Sequence, residues 1–245
     1  MSMADLDWLI ARPVAHRGLH DQKSVIENTP SAFAAAIAAR YGIECDLQIS
    51  ADGEAMVHHD DALGRLTEGS GRLDATTAAE LKRVAFKATG DRMITLGELC
   101  DLVAGRTTLL IEMKSRFVGD RRLVKRVASV LSGYRGPAAV MSFDPAQVAD
   151  LRTIASRLPR GMAAEKQGWG KVAAAPKRAV TTFAQVLSAR PQFIAYAVRD
   201  LPALLPAVAH SVLRLPLLAW TVRSADDRHK AVRYADQMIF EGFRP

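Results

Sequence analysis

The chain has 245 residues, of which 49% are hydrophobic and 24% charged. This composition is typical of a globular protein and excludes the disordered, collagen-like and disulfide-scaffold classes. The length suits one domain that buries about 70–75% of its unfolded surface, and the formal net charge of +7 indicates either an anionic partner or a solvated basic surface.

Short apolar runs alternate with helical patterns along the chain, which is typical of βα units and a parallel sheet. The predicted strands are residues 13–16, 43–49, 108–114, 138–143, 161–166, 193–198, 217–222 and 237–240. The predicted helices are residues 30–40, 94–104, 120–132, 145–156, 181–189, 201–213 and 224–235, several of them opened by helix-start residues such as Thr29-Pro30, Asp144-Pro145 and Ser224. Eight strands in a chain of this length favour the α/β class and a (β/α)8 TIM barrel, with an open doubly wound sheet as the alternative.

One long segment, residues 50–107, departs from the βα rhythm between the second and third predicted strands. An insertion there would overhang the C-terminal mouth of a barrel. We therefore expect a single domain over residues 1–245 with a small insertion at 50–107 that forms a lid or a substrate wall.

Charged side chains recur at every second position of two predicted strands. Glu44 and Asp46 share one face of the second strand, and Glu112 and Lys114 share one face of the third. Unpaired charges inside a barrel cost several kcal/mol each, so they persist only when paired or bound to a metal. The pattern predicts one divalent cation, Mg²⁺ or Ca²⁺ rather than Zn²⁺; the alternative is strand-end carboxylates paired with surface arginines.

Histidines occur at two places near the predicted barrel mouth. His16 and Arg17 end the first strand, and the pair His58-His59 precedes Asp60. Two histidines can accept one proton and donate another at neutral pH, and arginine binds phosphate in a bidentate manner. Together with a cation site, they point to metal-assisted phosphoryl or acyl hydrolysis.

Residues 15–67, AHRGLHDQKSVIENTPSAFAAAIAARYGIECDLQISADGEAMVHHDDALGRLT, resemble the signature of glycerophosphodiester phosphodiesterases. That signature runs HRG, PENT with an AF helix, ExD, DG and HDxxLxRxT, and the later IEMK, SFD and AWTV segments also follow the family's order. The resemblance covers residues 13–245. It implies a TIM barrel that uses a divalent cation to hydrolyse glycerophosphodiesters to an alcohol and sn-glycerol 3-phosphate.

The resemblance also implies a role for each matching residue. His16 and His59 would be the acid/base pair, Arg17 would hold the phosphate with Lys114 nearby, Glu44, Asp46 and Glu112 would ligate the metal, and Trp220 would form part of the glycerol-side wall. In the implied mechanism, the free glycerol hydroxyl attacks phosphorus, and water then opens the cyclic phosphate.

The chain departs from the family pattern at three places. Ile26 replaces the proline before Glu27-Asn28-Thr29, where Glu27 is either a metal-side residue or part of a segment that only caps the helix. Arg223 stands where asparagine is common, which favours a more anionic head group. The last nine residues, QMIFEGFRP, replace the family's GI(I/V)TDxP-like strand. Glu165 is expected to form a salt bridge with Lys166 or a neighbouring arginine.

Other readings stay open at this level. The fold would also suit a non-catalytic barrel that binds phosphodiesters, or a related phosphodiesterase acting on lysophospholipids or glycerophosphoinositol. Nucleic-acid binding is not predicted, because no helix-turn-helix, RNP or OB signature is found. Two cysteines without metal spacing, acidic residues near the N-terminus and an apolar stretch broken by prolines at 201–220 predict a cytoplasmic protein without membrane insertion. The partner would be a small-molecule glycerophosphodiester, and a homo-oligomer is possible.

Overall fold

The computed structural model describes residues 6–166, 186 and 188–245. Within these residues the strands are β1 (Val14–Ala15), β2 (Gly42–Ile49), β3 (Ala55–Val57), β4 (Leu109–Met113), β5 (Ala138–Ser142), β6 (Arg160–Ala164), β7 (Phe193–Ala197), β8 (Leu217–Val222) and β9 (Gln237–Phe240). Every predicted strand is found within one or two residues of its predicted position, whereas the three-residue β3 escaped prediction because it is too short to show a period.

The helices are α1 (Asp7–Ile10), α2 (Pro30–Ala38), α3 (Ala78–Leu81), α4 (Leu96–Val103), α5 (Arg122–Ser132), α6 (Pro145–Ile154), α7 (Leu204–Ser211) and α8 (Ala225–Tyr234), with short 3₁₀ turns at Leu73–Ala75 and Val198–Asp200. The helix predicted at 181–189 falls mostly outside the described residues. Helices α2, α6 and α8 begin as predicted, because Thr29, Asp144 and Ser224 each accept a hydrogen bond from a backbone N–H of the first turn.

Eight of the described strands form one closed parallel barrel. The hydrogen-bonded order runs β1, β2, β4, β5, β6, β7, β8, β9 and back to β1, where Val14 pairs with Ile239. Only β3 stands outside the ring, since it pairs antiparallel with the C-terminal half of β2. The predicted TIM barrel is therefore confirmed, and the open doubly wound sheet is wrong.

The alternation of side chains along the strands separates two cores. On β2, Ile43, Cys45 and Leu47 join the apolar layer between the barrel and its helices. A second apolar cluster, which includes Leu110 and Ile239, packs inside the barrel. Polar side chains follow on the same faces towards the C-terminal mouth, where His16 succeeds Val14 and Glu112 succeeds Leu110.

The segment 50–107 contains β3, the 3₁₀ turn at Leu73–Ala75, α3 and α4. Helix α4 packs against α2 and α5 in the ring of helices around the barrel. It therefore belongs to the regular βα pattern, and the inserted part of the segment ends before it. The rest is anchored beside the C-terminal end of β2 through β3. Its role as a lid or substrate wall stays a prediction.

Cys45 and Cys100 are both buried thiols without a disulfide. In the part of the chain that the structure describes, no helix is both long enough and apolar enough to cross a bilayer.

Candidate active site

Three buried carboxylates converge inside the mouth of the barrel. Glu44 and Asp46 lie on β2, Glu112 lies on the neighbouring β4, and the strand register sets Asp46 beside Glu112. One oxygen from each lies within 4.8 Å of the others. We call Glu44, Asp46 and Glu112 the carboxylate triad. The strand alternation that predicted a shared face is thus observed.

Two cations contact the triad. Lys114 Nζ lies 2.8 Å from Asp46 Oδ1 and 2.5 Å from Glu112 Oε1, and Arg17 Nε lies 3.0 Å from Asp46 Oδ2. The backbone N–H of Arg17 donates to Glu44 Oε2 at 2.9 Å. The other oxygen of Glu44, Oε1, is buried and has no hydrogen-bond partner among the described residues.

Two cations do not balance three buried carboxylates, and the pKa values reflect this deficit. Burial, reinforced by Asp46 and Glu112, raises the pKa of Glu44 well above its ordinary value. Burial likewise raises the pKa of Glu112. For Asp46, burial is outweighed by Lys114 and Arg17, which hold its pKa below the usual range. A hard divalent cation fits this donor set, because it would both supply the missing charge and satisfy the orphaned Glu44 oxygen.

His16 follows β1 and is held by a carboxylate from the other end of the chain. Its Nδ1 lies 2.7 Å from Oε2 of Glu241, and its Nε2 lies 4.0 Å from Glu44 Oε2. Burial is the largest influence on the ring and lowers the pKa of His16. The lowered pKa favours the neutral ring, whose Nε2 faces the triad.

His59 is held in a similar way by its sequence neighbour. Its Nδ1 lies 2.8 Å from Asp60 Oδ1, and Arg65 donates to Oδ2 of the same carboxylate. Burial lowers the pKa of His59. His58 lies elsewhere: its ring is 6.5 Å from that of Phe86, and burial lowers its pKa to about 4.

A left-handed turn after β1 aims Arg17 at the triad. Arg17 has φ of 56° and Gly18 has φ of 81°. A Cβ atom on Gly18 would lie 2.8 Å from the Cβ of Ala32, so this position requires glycine for space as well as for conformation. The turn brings the Arg17 backbone N–H onto Glu44.

The Glu27-Asn28-Thr29 segment supports this turn. Glu27 Oε1 accepts from Arg17 and from Arg65 at 2.7 Å each, which leaves Glu27 outside the triad. Asn28 Nδ2 donates to Asp46 at 2.9 Å, and Asn28 Oδ1 accepts from the Asp46 backbone N–H at 3.2 Å. Only Thr29 serves as the helix cap that the sequence suggested.

A cavity of about 280 Å³ joins these groups. On its other side Phe143 and Trp220 pack edge to face with ring centroids 5.4 Å apart, beside Met141. The cavity is therefore charged on one side and apolar on the other. Seven of the eight site residues that the sequence predicted line this cavity, and Asp46 does not. The seven are His16, Arg17, Glu44, His59, Glu112, Lys114 and Trp220.

A second cavity, of about 520 Å³, adjoins the first and shares His59 and Lys114 with it. Its walls come from the segment 50–107 and from the loop after β4, and Arg116 bridges them by an ion pair of 3.0 Å with Asp74. A larger cavity of about 630 Å³ lies near Trp8 between α5 and α6, but no histidine or carboxylate lines it. Size therefore does not identify the reactive cavity, whereas its ionisable groups do.

Several residues of the site were not among the predicted ones. Asp60 follows His59 directly, and Asn28 stands in the ENT motif, so both had a sequence signal. Arg65 lies within the HDxxLxRxT pattern. Glu241 had no sequence signal beyond the departure of the C-terminal segment from the family pattern. Arg223, predicted to add positive charge, is paired with Glu241 at 2.7 Å.

The barrel is similar to solved structures over nearly its whole length. A glycerophosphodiester phosphodiesterase from Thermotoga maritima is 24% identical with a TM-score of 0.72, and covers 94% of each chain. A phosphodiesterase from Oleispira antarctica, in complex with the product sn-glycerol-3-phosphate, is 19% identical with a TM-score of 0.73, and the match covers 94% of this chain and 92% of that one. At these identities the likeness establishes the fold.

Sequence relatives share larger identities over shorter stretches. The glycerophosphodiester phosphodiesterase of Caldanaerobacter subterraneus is 32% identical over 159 residues, which are 61% of this chain and 65% of that protein. The glycerophosphodiester phosphodiesterase of Bacillus altitudinis is 36% identical over 123 residues, 45% of this chain and 49% of that protein. The aligned part is thus less than two thirds of the length of either relative.

The sequence pattern of one family spans almost the entire barrel. Residues 16–241 match the Glycerophosphoryl diester phosphodiesterase family. The match begins at His16, directly after the first strand, and ends at Glu241, directly after the last strand. These two residues are in contact where the barrel closes. Together with the barrel topology, this coverage means that the chain belongs to the glycerophosphoryl diester phosphodiesterase family.

Proposed function

We propose that this protein is a divalent-cation-dependent glycerophosphodiester phosphodiesterase that releases an alcohol and sn-glycerol 3-phosphate. One observation carries the proposal: Glu44 and Glu112 of the carboxylate triad, with the orphaned Glu44 oxygen, line a single cavity with His16 and His59. A barrel that merely bound phosphodiesters would have no need of two histidines, each held at Nδ1 by a carboxylate.

The likeness to known proteins supports the same activity. The family match spans residues 16–241, and the Oleispira antarctica phosphodiesterase was crystallised with sn-glycerol-3-phosphate. The aligned relatives are named for this hydrolysis. The expected substrate is therefore a small glycerophosphodiester.

Glu44, Asp46 and Glu112 would hold the cation, which we propose is Mg²⁺ or Ca²⁺ because all three donors are carboxylate oxygens. When bound, the cation would neutralise phosphate charge and acidify a coordinated hydroxyl. Lys114 and Arg17 both contact Asp46 of the triad, and we propose that they share the phosphate with the cation.

The protein's own groups supply the proton transfers. The free hydroxyl of the glycerol attacks phosphorus and gives its proton to Nε2 of one histidine, which starts neutral. The other histidine starts as the imidazolium and gives its Nε2 proton to the oxygen of the leaving alcohol. Water then opens the cyclic phosphate with the two roles reversed. We assign the first role to His16, which faces the triad, and the second to His59, which borders both cavities.

The second cavity is proposed to receive the leaving alcohol, because His59 lies at its junction with the first. Its lining favours a small polar head group over an acyl chain, because desolvating paired charges against hydrocarbon is unfavourable. The charged groups that line it include Asp61, Arg72, Asp74, Arg116, Asp120 and Arg122.

The test is hydrolysis of glycerophosphocholine, glycerophosphoethanolamine, a lysophospholipid and bis(p-nitrophenyl) phosphate, each with Mg²⁺, Ca²⁺ or EDTA. We expect EDTA-sensitive release of sn-glycerol 3-phosphate from the first two substrates. Preferred cleavage of the lysophospholipid would favour the alternative substrate class. Binding of glycerophosphocholine without turnover of any substrate would indicate a non-catalytic barrel. The cytoplasmic location and a homo-oligomeric state stay predictions.

A further inference from the structure

Two of the places where the chain departs from the family pattern meet at one contact. Glu241, from the divergent C-terminal segment, lies 2.7 Å from Nδ1 of His16. Arg223, which stands where asparagine is common, donates to the same Glu241 oxygen, Oε2, at 2.7 Å. The two departures therefore form a single arrangement around one histidine.

The backbone keeps this arrangement rigid. The N–H of His16 donates to the carbonyl of Phe240 at 2.9 Å, and the N–H of Glu241 donates to the carbonyl of Val222 at 3.0 Å. His16 and Glu241 are thus attached to the seam where β9 closes the barrel against β1. The Glu241 side chain is 18% exposed, so it is shielded from water for most of its surface.

The charge on Glu241 determines which ring nitrogen of His16 carries the proton. Burial would raise the pKa of Glu241, but the hydrogen bonds from His16 and Arg223 outweigh it and lower the pKa to about 2. An ionised carboxylate only accepts hydrogen bonds, so Nδ1 of His16 must carry the proton. The unprotonated Nε2 then faces Glu44, 4.0 Å away, where a proton acceptor is required.

We propose that Glu241 is a positioning residue for His16: it holds the ring in the Nδ1–H tautomer with Nε2 directed into the reactive cavity, and Arg223 holds Glu241 in place. This inference rests on the proposed function and adds to it a residue that acts through His16 rather than on the substrate. His59 receives the equivalent support from Asp60, its sequence neighbour.

The chain offers a matched control. Glu165 follows β6 and is paired with Arg199, which follows β7, just as Glu241 follows β9 and is paired with Arg223, which follows β8. Neither Glu165 nor Arg199 lines the reactive cavity. Glu165→Gln therefore breaks a similar strand-end ion pair without touching a histidine of the site.

The first measurement is the tautomer of His16. Long-range ¹H–¹⁵N correlation spectra of the full chain labelled with ¹⁵N-histidine resolve the protonated and unprotonated ring nitrogens of its six histidines, and a His16→Asn sample assigns the His16 signals. We expect the Nδ1–H tautomer in the wild type and in Glu165→Gln. Glu241→Gln should populate the Nε2–H tautomer. A purely structural role for Glu241 would not change this signal.

The second measurement is steady-state hydrolysis of glycerophosphoethanolamine. Loss of a carboxylate that accepts the ring N–H of a metal-ligating histidine costs about 10–100-fold in activity, and we expect the same order for His16. We expect this loss in kcat for Glu241→Gln with KM unchanged, a smaller loss for Arg223→Gln, and partial rescue in Glu241→Asp. Thermal melts confirm that each variant is folded, and Arg223→Gln keeps the test valid if Glu241→Gln does not fold.

The outcomes separate clearly. The proposal is wrong if Glu241→Gln or Arg223→Gln matches Glu165→Gln in both tautomer and kcat, if kcat falls while the tautomer is retained, or if the tautomer changes without a fall in kcat. If the wild type hydrolyses none of the substrates, the proposed function fails, whereas the tautomer spectra still decide whether Glu241 controls His16.

Discussion

Two groups of carboxylates at the barrel mouth differ in their counter-charges. The carboxylate triad of Glu44, Asp46 and Glu112 shares two cations, Lys114 and Arg17. The single carboxylate of Glu27, which is also buried, contacts two arginines, Arg17 and Arg65, although each of them has a second carboxylate partner. Glu44 is 1% exposed and Glu27 is 3% exposed. Burial opposes ionisation in both, yet the pKa of Glu44 is raised while Arg65 and Arg17 lower that of Glu27 to about 2.

Two other carboxylates at the barrel mouth behave like Glu27. Asp60 and Glu241 each face an arginine and a histidine, and the hydrogen bonds from these partners lower their pKa values against the effect of burial. We call Glu27, Asp60 and Glu241 the paired ring. The comparison teaches that the number of cations in contact, together with the depth of burial, separates carboxylates that position other groups from those that would bind a metal.

The largest effect is expected where the deficit of positive charge lies. Glu44→Gln should lower kcat/KM by roughly 10⁴-fold, because several kcal/mol of charge stabilisation from the bound cation are lost. Without metal the variant should unfold at a temperature no lower than that of the wild type, because an uncompensated buried charge is gone. Enzyme assays and thermal melts in EDTA check both. A variant with full activity would contradict the cation site.

The histidines held by the paired ring should follow next. His16→Ala and His59→Ala should each lower kcat by about 10²–10³-fold, since each would remove a proton-transfer group. His58→Ala, whose side chain faces Phe86 instead of the cavity, should retain kcat per folded molecule. Assays normalised to folded protein test this difference. An equal loss at His58 would show that the wrong member of the pair has been chosen.

Cation binding at the triad should stabilise the folded protein. At a concentration of Mg²⁺ or Ca²⁺ 100 times its Kd, the gain of about 2.7 kcal/mol should raise the melting temperature by roughly 5–10 °C. Glu44→Gln should show little of this shift, whereas Glu165→Gln should show all of it. Scanning fluorimetry of metal-free protein titrated with each ion measures the effect independently of catalysis.

The paired ring should make the smallest contribution, and its effect should depend on pH. Glu27→Gln should lower the free energy of unfolding by about 2 kcal/mol at pH 7, because Arg17 and Arg65 lose their shared partner. The pKa of Glu27 falls from 4.5 to about 2 on folding, so its stabilising effect is complete above pH 4.5. The effect should disappear as the pH falls towards 2. Denaturant unfolding of wild type and variant at several pH values tests this; a difference independent of pH would refute it.

The predicted part of the site follows from local geometry. Glu44, Asp46, Glu112 and Lys114 were found by the two-residue period of strands, because alternation depends only on neighbouring residues. The eight strands were found from short apolar runs set between helical patterns, which are also local features. What local pattern could not supply was the pairing between distant segments, such as Arg65 with Glu27, which are 38 positions apart.

The clearest case is Glu241. It lies 225 positions from His16, and the sequence marked its segment only as a departure from the family pattern. The two residues meet because β9 pairs with β1 when the barrel closes. This contact forms only when the barrel closes, so it cannot be read from any short stretch of the sequence.

The sequence by itself determined the barrel class, the family signature and the face that carries the triad, because strand alternation and motif order are written in consecutive residues. The tertiary structure decided which carboxylates are paired and which are short of positive charge. The net charge of the chain is +7, but what matters at the site is the number of cations in contact with the carboxylate triad. That count depends on which side chains closure and burial bring within a few ångströms, where Coulomb interactions are strongest.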